Sequence, residues 1–219
     1  MRRLHIAAWL PVILWLSGCA SFHLTGQVQA GRRALIINRP EEALAYFQRV
    51  AEADPNYVVE IRSFREGIWT YVGRAQYSAG KLAEARQSLE KAVAANKDDY
   101  MARLYLGLTL VRTGDRSRGM KEIEIGLKGL YDWIEFIHYN AYYGWLWDPN
   151  RELRSEIENA LAMISGNDID WEKPIASAEW IGRKMEEELD VARQDERRQF
   201  RDRDNIGRRG FSIGVGIGF

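Results

Sequence analysis

The amino-acid sequence predicts an all-α fold of repeated helix pairs, followed by a C-terminal helical cap and a short glycine-alternating tail. The segments around Gly73 and Gly107 align at a spacing of 34 residues, a period typical of stacked helix pairs. Around both glycines, apolar and small residues recur every three or four positions, which is helical periodicity. Glycines also follow where the first helix of each pair should end. We therefore expect helix pairs that share one core.

The chain begins with a segment typical of a secretory leader. Met1-Arg2-Arg3 provide a basic start, and an apolar run extends from Leu4 to Leu16. This run is shorter than a comfortable membrane span, so a signal peptide over residues 1–18 is predicted. An uncleaved apolar anchor is the alternative. The residues Leu16-Ser17-Gly18-Cys19 resemble the bacterial lipobox, in which small residues precede a lipidated cysteine.

The lipobox resemblance implies lipidation at Cys19, with palmitate-type acyl chains on its sulfur and on the new N-terminus. Cys19 is the only cysteine, so a disulfide within one subunit is excluded. Three acyl chains, at about 0.8 kcal/mol per buried methylene, would hold the protein essentially permanently. Ala20 stands where aspartate would be the inner-membrane retention signal of enteric lipoproteins. The resemblance thus implies the bacterial outer membrane, with the protein facing the periplasm.

Residues 19–133 are predicted to form the repeat domain. One unit combines a helix carrying Trp69, Val72 and Gly73 with a helix carrying Ala85, Leu89 and Ala92. The corresponding positions of the next unit are Leu106, Gly107, Gly119, Ile123 and Gly126, and an earlier unit contributes Gly31, Ala43, Phe47 and Asp54-Pro55-Asn56. These positions resemble the tetratricopeptide repeat, with a leucine at one aromatic position. The resemblance implies antiparallel helix pairs that stack, and a protein or peptide as the partner.

Turn residues divide the repeat domain into its helices. Gly80 and Gly114 stand where a left-handed glycine should end a helix, and Pro40 stands where a helix should begin. Gly31 precedes Gly73 by 42 residues, eight more than the repeat period. We expect these eight residues to lengthen a loop or a helix end between Pro55 and Trp69. Ser63 and Glu66 are predicted to form a capping box there.

Residues 134–204 are predicted to form an aromatic-rich helical cap that continues as a charged helix. The aromatic side chains of this region and of the segment before it are Tyr131, Trp133, Phe136, Tyr139, Tyr142, Tyr143, Trp145 and Trp147. Such a cluster forms either a core seam or a ligand surface. Asp148-Pro149 should begin a helix that Gly166 ends. A second helix should begin near Pro174. Both helices are expected to cover the exposed apolar face of the last repeat.

The C-terminal residues change character twice. From Leu189 to Asp204 the helix carries charges of both signs, which favours a solvated helix end or, as an alternative, a partner-binding coiled segment. Residues 205–219 are predicted to form a separate tail. Its last nine residues, from Phe211 to Phe219, alternate apolar and small residues, which is a strand pattern. A disordered tail, pairing with a partner's sheet edge and self-association all remain open.

Enzyme chemistry is not indicated by any motif, so no catalytic residue is predicted. The three histidines, His5, His23 and His138, are too scattered for a histidine-rich metal site, so no metal ligand is predicted. His138 is expected to serve packing. The sequence has no Walker loop and no nucleophile elbow, so no cofactor is expected. With 31 basic and 31 acidic residues, the charge balance argues against nucleic acid as a partner.

In tetratricopeptide repeats the ligand usually lies against the first helix of each pair, which implies a binding groove here. One face of these helices carries the candidate residues Arg32, Thr70, Arg74, Tyr77 and Arg112, mixed with the apolar residues Leu104, Leu108 and Val111. Arginines there could bind a carboxylate or phosphate in bidentate fashion, with Tyr77 as an amphipathic contact. The alternative is that these arginines only keep a helix surface soluble.

Together these features predict a membrane-anchored periplasmic lipoprotein that acts as an adaptor or assembly factor in the cell envelope. A solute-binding accessory of a transporter, with the aromatic segment lining a closed pocket, is one alternative. The other is a structural subunit that docks through its C-terminal strand. The partner's identity and the oligomeric state do not follow from the sequence.

Overall fold

The structure is a computed structural model that describes residues 10–61, 64–166 and 170–211, with side chains described between residues 23 and 202 of these ranges. The chain divides into two compact units between residues 126 and 127. The described residues form an all-α helical repeat fold with one small two-stranded sheet, so the predicted fold class is confirmed. Residues 1–9 of the predicted signal peptide lie outside the described residues, and Cys19 lies within the first helix.

The first unit consists of three helix pairs and a β-hairpin. In chain order its elements are α1 (Leu10–Ile36), α2 (Pro40–Ala53), β1 (Val58–Ile61), β2 (Phe64–Gly67), α3 (Ile68–Ser78), α4 (Leu82–Ala95), α5 (Tyr100–Arg112) and the beginning of α6 (Arg116–Asn140). α1 packs on α2, α2 on α3, α3 on α4, and α4 on α5. Each pair therefore covers the apolar face of the next, as stacked repeats require.

The same close contact between the two helices recurs in each of the three pairs, at the equivalent repeat position. A Cβ atom at Gly31 would lie 2.5 Å from the ring of Phe47, and one at Gly73 would lie 2.5 Å from the Cγ of Leu89. A Cβ atom at Gly107 would lie 2.7 Å from a side-chain carbon of Ile123. Each glycine thus contacts the side chain 16 residues later, which confirms the predicted equivalence of the three units.

The predicted turn chemistry agrees with the backbone. Gly80 and Gly114 have φ angles of 74° and 100°, the left-handed region in which a residue with a Cβ atom is strained. α2 begins at Pro40. Asp99 is the N-cap of α5, and its carboxylate accepts the Ala102 N–H at 2.9 Å. The helix ends of the repeat therefore follow from local residue choice.

The insertion between α2 and α3 is a β-hairpin, so the predicted longer loop or helix end is wrong. β1 and β2 pair in antiparallel fashion, with Val58 opposite Gly67 and Glu60 opposite Arg65. The predicted capping box is wrong too, because Glu66 lies in β2 and is buried, and the N-cap of α3 is Gly67. Ser63 lies outside the described residues. The β-branched residues of β1 and the two-residue alternation favour strands over helix here.

The second unit contains the end of α6, a 3₁₀ turn (Gly144–Leu146), α7 (Glu152–Ile164) and α8 (Glu172–Phe211). α7 packs along α8, and apolar residues of the two helices are buried at Leu153, Ile157, Ile181, Met185 and Leu189. α8 ends at Phe211, and the remaining residues of the predicted strand, 212–219, lie outside the described residues. In the part of the chain that the structure describes, no helix combines the length and apolarity needed to cross a membrane.

The helix predicted to begin at Asp148-Pro149 begins later, at Glu152. Asp148 nevertheless serves this helix, because its carboxylate accepts the N–H groups of Leu153 at 2.9 Å and Arg154 at 3.1 Å. The backbone reaches this arrangement through positive φ angles of 47° at Asp148 and 57° at Arg151. The predicted N-cap position is therefore wrong, because Arg151 is the N-cap of α7, although the Asp148 side chain still accepts N–H groups of the first turn.

Candidate functional site

Most of the predicted groove residues are buried in the repeat unit. Arg32, Thr70, Arg74 and Tyr77 are at most 5% exposed, and only Arg112 is exposed. The apolar residues Leu104 and Leu108 of the same face belong to the core. These buried side chains do not keep a helix surface soluble, and the contacts described below are made within the chain. Their role in partner binding stays a prediction.

Thr70 belongs to a buried hydrogen-bond cluster around Asp99. One carboxylate oxygen of Asp99 accepts the Thr70 hydroxyl at 2.6 Å and the Gly67 N–H at 3.1 Å. Burial raises the pKa of the Asp99 carboxyl, although its hydrogen bonds to Thr70, Ala102 and Gly67 and the charge of Arg74 act in the opposite direction. This cluster links the end of the hairpin to the beginning of α5.

Arg74 is held by a carboxylate from the hairpin. Its guanidinium donates to Glu66 at 3.0 Å, and the second carboxylate oxygen of Glu66 accepts the Tyr71 hydroxyl. The guanidinium of Arg74 also lies over the rings of Tyr71 and Tyr105, 5.4 and 5.2 Å from their centroids. Glu66 was not predicted as a partner of Arg74. The alternation of Phe64 and Glu66 along the sequence was the signal that could have revealed it.

Arg74 begins a stack of side chains from α3 and α5, in which two tyrosine rings lie between two arginines. The Tyr77 and Tyr105 rings meet edge to face with centroids 5.5 Å apart, and the Arg112 guanidinium lies 4.4 Å from the Tyr77 centroid. We call Arg74, Tyr105, Tyr77 and Arg112 the arginine–tyrosine stack. Three of its members were predicted as groove residues, and the structure brings these together. Arg112 is its exposed end, held in place by a buried ring.

The aromatic segment of the second unit is part core and part surface. Trp133, Tyr143 and Trp147 are buried, whereas Tyr131 is half-buried, its hydroxyl donating to Glu158 at 2.8 Å. The exposed fractions of the other four side chains are 57% for Phe136, 70% for Tyr139, 72% for Tyr142 and 56% for Trp145. We call these four residues the aromatic face. The core interpretation is therefore confirmed for the buried residues, and the ligand-surface interpretation stays a prediction for the aromatic face.

The buried aromatics hold the aromatic face in position. Trp133 and Trp147 meet edge to face at 5.3 Å, and the Trp147 indole N–H donates to Glu196 at 3.0 Å. The exposed Tyr142 ring packs on Tyr143, with centroids 4.8 Å apart. Gly144 lies so close to the Ile137 and His138 carbonyl oxygens that a Cβ atom there would collide with them. The 3₁₀ turn therefore folds back on the end of α6, next to Tyr139.

Charged groups under the aromatic face are paired within the second unit. The Arg154 guanidinium donates to Asp148 at 2.9 Å and to Glu135 at 2.8 Å. The Asp148 N–H donates to Glu188 at 2.7 Å, and burial raises the pKa of the Glu188 carboxyl. His138 serves packing as predicted, with its ring edge to face with Tyr139 at 5.0 Å. These contacts stabilise the fold locally, and in the described ranges no His, Cys, Asp and Glu cluster suits a metal ion.

A comparison with protein families finds one relevant match. A tetratricopeptide repeat model matches residues 73–117, about a fifth of the chain. The matched segment extends from α3 to the beginning of α6 and contains all four residues of the arginine–tyrosine stack. No curated protein matches the chain. Tetratricopeptide repeats generally mediate protein–protein interactions, so protein binding is the role that this match supports.

Proposed function

We propose that this protein is a lipid-anchored periplasmic adaptor or assembly factor of the bacterial cell envelope, which binds a protein partner through the aromatic face. The observation that carries this proposal is the exposure of four neighbouring large aromatic side chains, each more than half accessible. The four side chains lie within ten residues of the sequence, and a concentration of exposed apolar side chains is a feature of interaction sites. A closed solute pocket would instead require these side chains to be covered.

The residue types of the aromatic face suit a protein partner. Tyr139, Tyr142 and Trp145 each combine a large apolar surface with one polar group, the combination enriched among residues that dominate binding energy. They are presented by a helix end and a 3₁₀ turn that buried rings and Gly144 hold in place. A pre-organised surface loses little conformational entropy on binding. The aromatic face therefore supports tight binding with few side chains.

Arg112 is the second candidate contact, in the other unit. Its guanidinium lies over the Tyr77 ring, 4.4 Å from the centroid, and this contact positions the N–H donors of an exposed side chain. A carboxylate of the partner would complement them. Arg74 and Tyr77 would act through the arginine–tyrosine stack that positions Arg112. We also propose that acyl chains on Cys19 anchor the protein to the outer membrane.

The test is a quantitative pull-down of the lipidated protein from crosslinked envelopes, analysed by mass spectrometry. We compare the wild type with the triple variant Tyr139→Ala/Tyr142→Ala/Trp145→Ala and with Arg112→Ala. Trp171→Ala is the matched control, because Trp171 is a partly exposed aromatic outside the aromatic face. Arg74→Ala is avoided, since it would leave Glu66 buried without its cation at a cost of about 3–5 kcal/mol.

We expect the triple variant to lose at least about tenfold of the captured partner, which corresponds to about 1.4 kcal/mol of binding free energy. Arg112→Ala should lose less, and Trp171→Ala should capture as much as the wild type. Equal capture by the triple variant and the wild type would rule out the aromatic face as the binding surface. Capture lost equally in the control would point to unfolding, which circular dichroism detects.

A further inference from the structure

The insertion that interrupts the repeat builds a cleft on the first unit. A cavity of about 350 Å³ lies between the β-hairpin and the C-terminal end of α4. We call it the hairpin cleft. Residues of the hairpin and its flanks form one side and residues of α4 the other, with Asp99 between them. Because the hairpin arises from the eight residues beyond the repeat period, the cleft is an addition to the helix pairs.

The two faces of the hairpin have different roles. Ile61, Phe64 and Glu66 are buried, so this face packs on the repeat core. On a strand, alternate residues point to opposite faces, and Val58 and Arg65 lie on the outer one. Val58 is 43% exposed although it is apolar, and it lines the hairpin cleft. The outer face therefore presents the apolar side chain of Val58 to the cavity, and this side chain is not part of the protein core.

A second wall of the hairpin cleft is apolar, and the Trp69 indole ring in it is held in one orientation. Trp69 lines it together with Ala92 and Ala95 of α4. The Trp69 indole N–H donates to the Pro55 carbonyl at 2.9 Å, and the Lys91 ammonium lies 3.5 Å from the ring centroid. These two contacts fix the indole ring from its edge and from its face. The wall is thus formed before any ligand arrives.

Two polar side chains at the hairpin cleft, Asn96 and Arg65, offer donors to a ligand. Asn96 uses its side-chain oxygen to accept the Asp98 N–H at 3.1 Å, so its NH₂ group is what it offers a ligand. Arg65 lies at the rim, where it is largely exposed and pairs with Glu60 at 3.5 Å. Asp99 is almost completely buried, and both of its oxygens already accept hydrogen bonds within the chain, from Gly67, Thr70 and Ala102. Peptide carbonyl oxygens complement such donors.

We propose that the hairpin cleft binds an extended peptide segment of a partner protein, which inserts one apolar side chain between Val58, Trp69 and Ala95. The carbonyl oxygens of the segment would accept hydrogen bonds from Asn96 and Arg65. The volume of the hairpin cleft lies at the small end of the range for ligand-binding pockets, which suits one large side chain with its adjoining backbone. This site is separate from the aromatic face and from Arg112, so it goes beyond the function proposed above.

Two tryptophan variants of α4 test the proposal. Ala95 lines the hairpin cleft, whereas its exposed neighbour Ala94 does not. Ala95→Trp fills the cavity, and Ala94→Trp places the same side chain on the same helix turn outside it. Both positions are exposed, so both variants are expected to fold, which circular dichroism checks. The full chain in detergent is used to select binders from a random heptapeptide phage library.

We expect selected peptides to share one large apolar residue and to bind the wild type and Ala94→Trp equally. Ala95→Trp should weaken this binding at least about tenfold, as should alanine at the apolar residue of the peptide. Equal binding to Ala95→Trp, or no enrichment above a blank surface, would overturn the proposal. Arg112→Ala and the aromatic triple variant are measured in parallel. Peptide binding that survives in both separates this site from the adaptor surface, whatever the pull-down shows.

Discussion

Glu66 and Arg74 illustrate how single residues of this protein acquire their roles. Both side chains are almost completely buried, and their ion pair joins the hairpin to α3. A buried charge is tolerated only when it is paired and hydrogen-bonded, and here Tyr71 and the Tyr105 ring complete the surroundings. Arg74 was correctly predicted to lie on one face with Tyr77 and Arg112. Its carboxylate partner was not predicted, because it comes from a hairpin whose residues were expected to lengthen a loop or a helix end.

Asp99 provides a pH-dependence prediction at the residue scale. Because burial raises its pKa, the folded protein holds this proton to a higher pH than the unfolded chain does. Between the unfolded pKa, about 4, and the folded value, the folded state binds more protons, so the stability contributed by this group falls as pH rises. Asp99→Asn cannot titrate. We therefore expect the wild type to lose stability relative to Asp99→Asn as pH rises from about 4 to about 7.

Urea unfolding of both proteins across this pH range measures the difference. A constant offset between them reflects the hydrogen bonds changed by the amide and does not depend on pH. Glu188 also has a raised pKa, but it is present in both proteins and cancels from the comparison. A difference that stays flat with pH, or that changes in the opposite direction, would show that Asp99 does not titrate as its burial requires.

At the scale of elements, the helix pairs are held together by close approach. α5 and α6 meet so closely at Gly107 that a Cβ atom there would lie 2.5 Å from the Gly119 carbonyl oxygen and 2.7 Å from the Ile123 nitrogen. Both neighbours are backbone atoms, which cannot rotate away as a side chain can. The 34-residue spacing predicted this position, and the helix-pair geometry explains it.

Gly107→Ala is therefore expected to destabilise the protein by about 1–3 kcal/mol, since α5 and α6 must separate to admit the methyl group. Gly26→Ala is the matched control, because Gly26 is also helical and has no atom near its would-be Cβ. That change should be neutral or slightly stabilising, as alanine favours the helix. Both are compared by urea unfolding followed by circular dichroism. Equal effects of the two changes would disprove the close contact.

The hairpin is the element that sequence patterns described least well. Its strands are four residues each, too short for periodicity alone to separate them from a loop. A capping box formed by Ser63 and Glu66 was expected to begin α3, but Gly67 at the end of the hairpin is the N-cap of this helix. Tertiary packing of Ile61, Phe64 and Glu66 on the repeat core decided its structure. The same packing creates the hairpin cleft.

At the scale of the whole molecule, the proposed anchor determines where the binding surfaces act. Cys19→Ser removes the only sulfur that a lipid could modify. We expect this variant to lose incorporation of labelled palmitate and to release little or no mature protein, because cleavage at a lipobox normally follows lipidation. Wild-type protein should fractionate with the outer membrane and carry the label. Label incorporation that persists in Cys19→Ser would contradict lipidation at this cysteine.

What the sequence by itself determined is the helical repeat. Its 34-residue period, the small-to-large contacts between paired helices and the left-handed glycines at Gly80 and Gly114 are local features, and local features survive in a linear pattern. Only the tertiary structure decided which of the aromatic and charged residues are surface and which are core. Arg74 is buried while Arg112 is exposed, and Trp147 is buried while Trp145 is exposed, so residue type alone does not decide exposure. Exposure depends on what other elements cover, and that is not encoded by spacing along the chain.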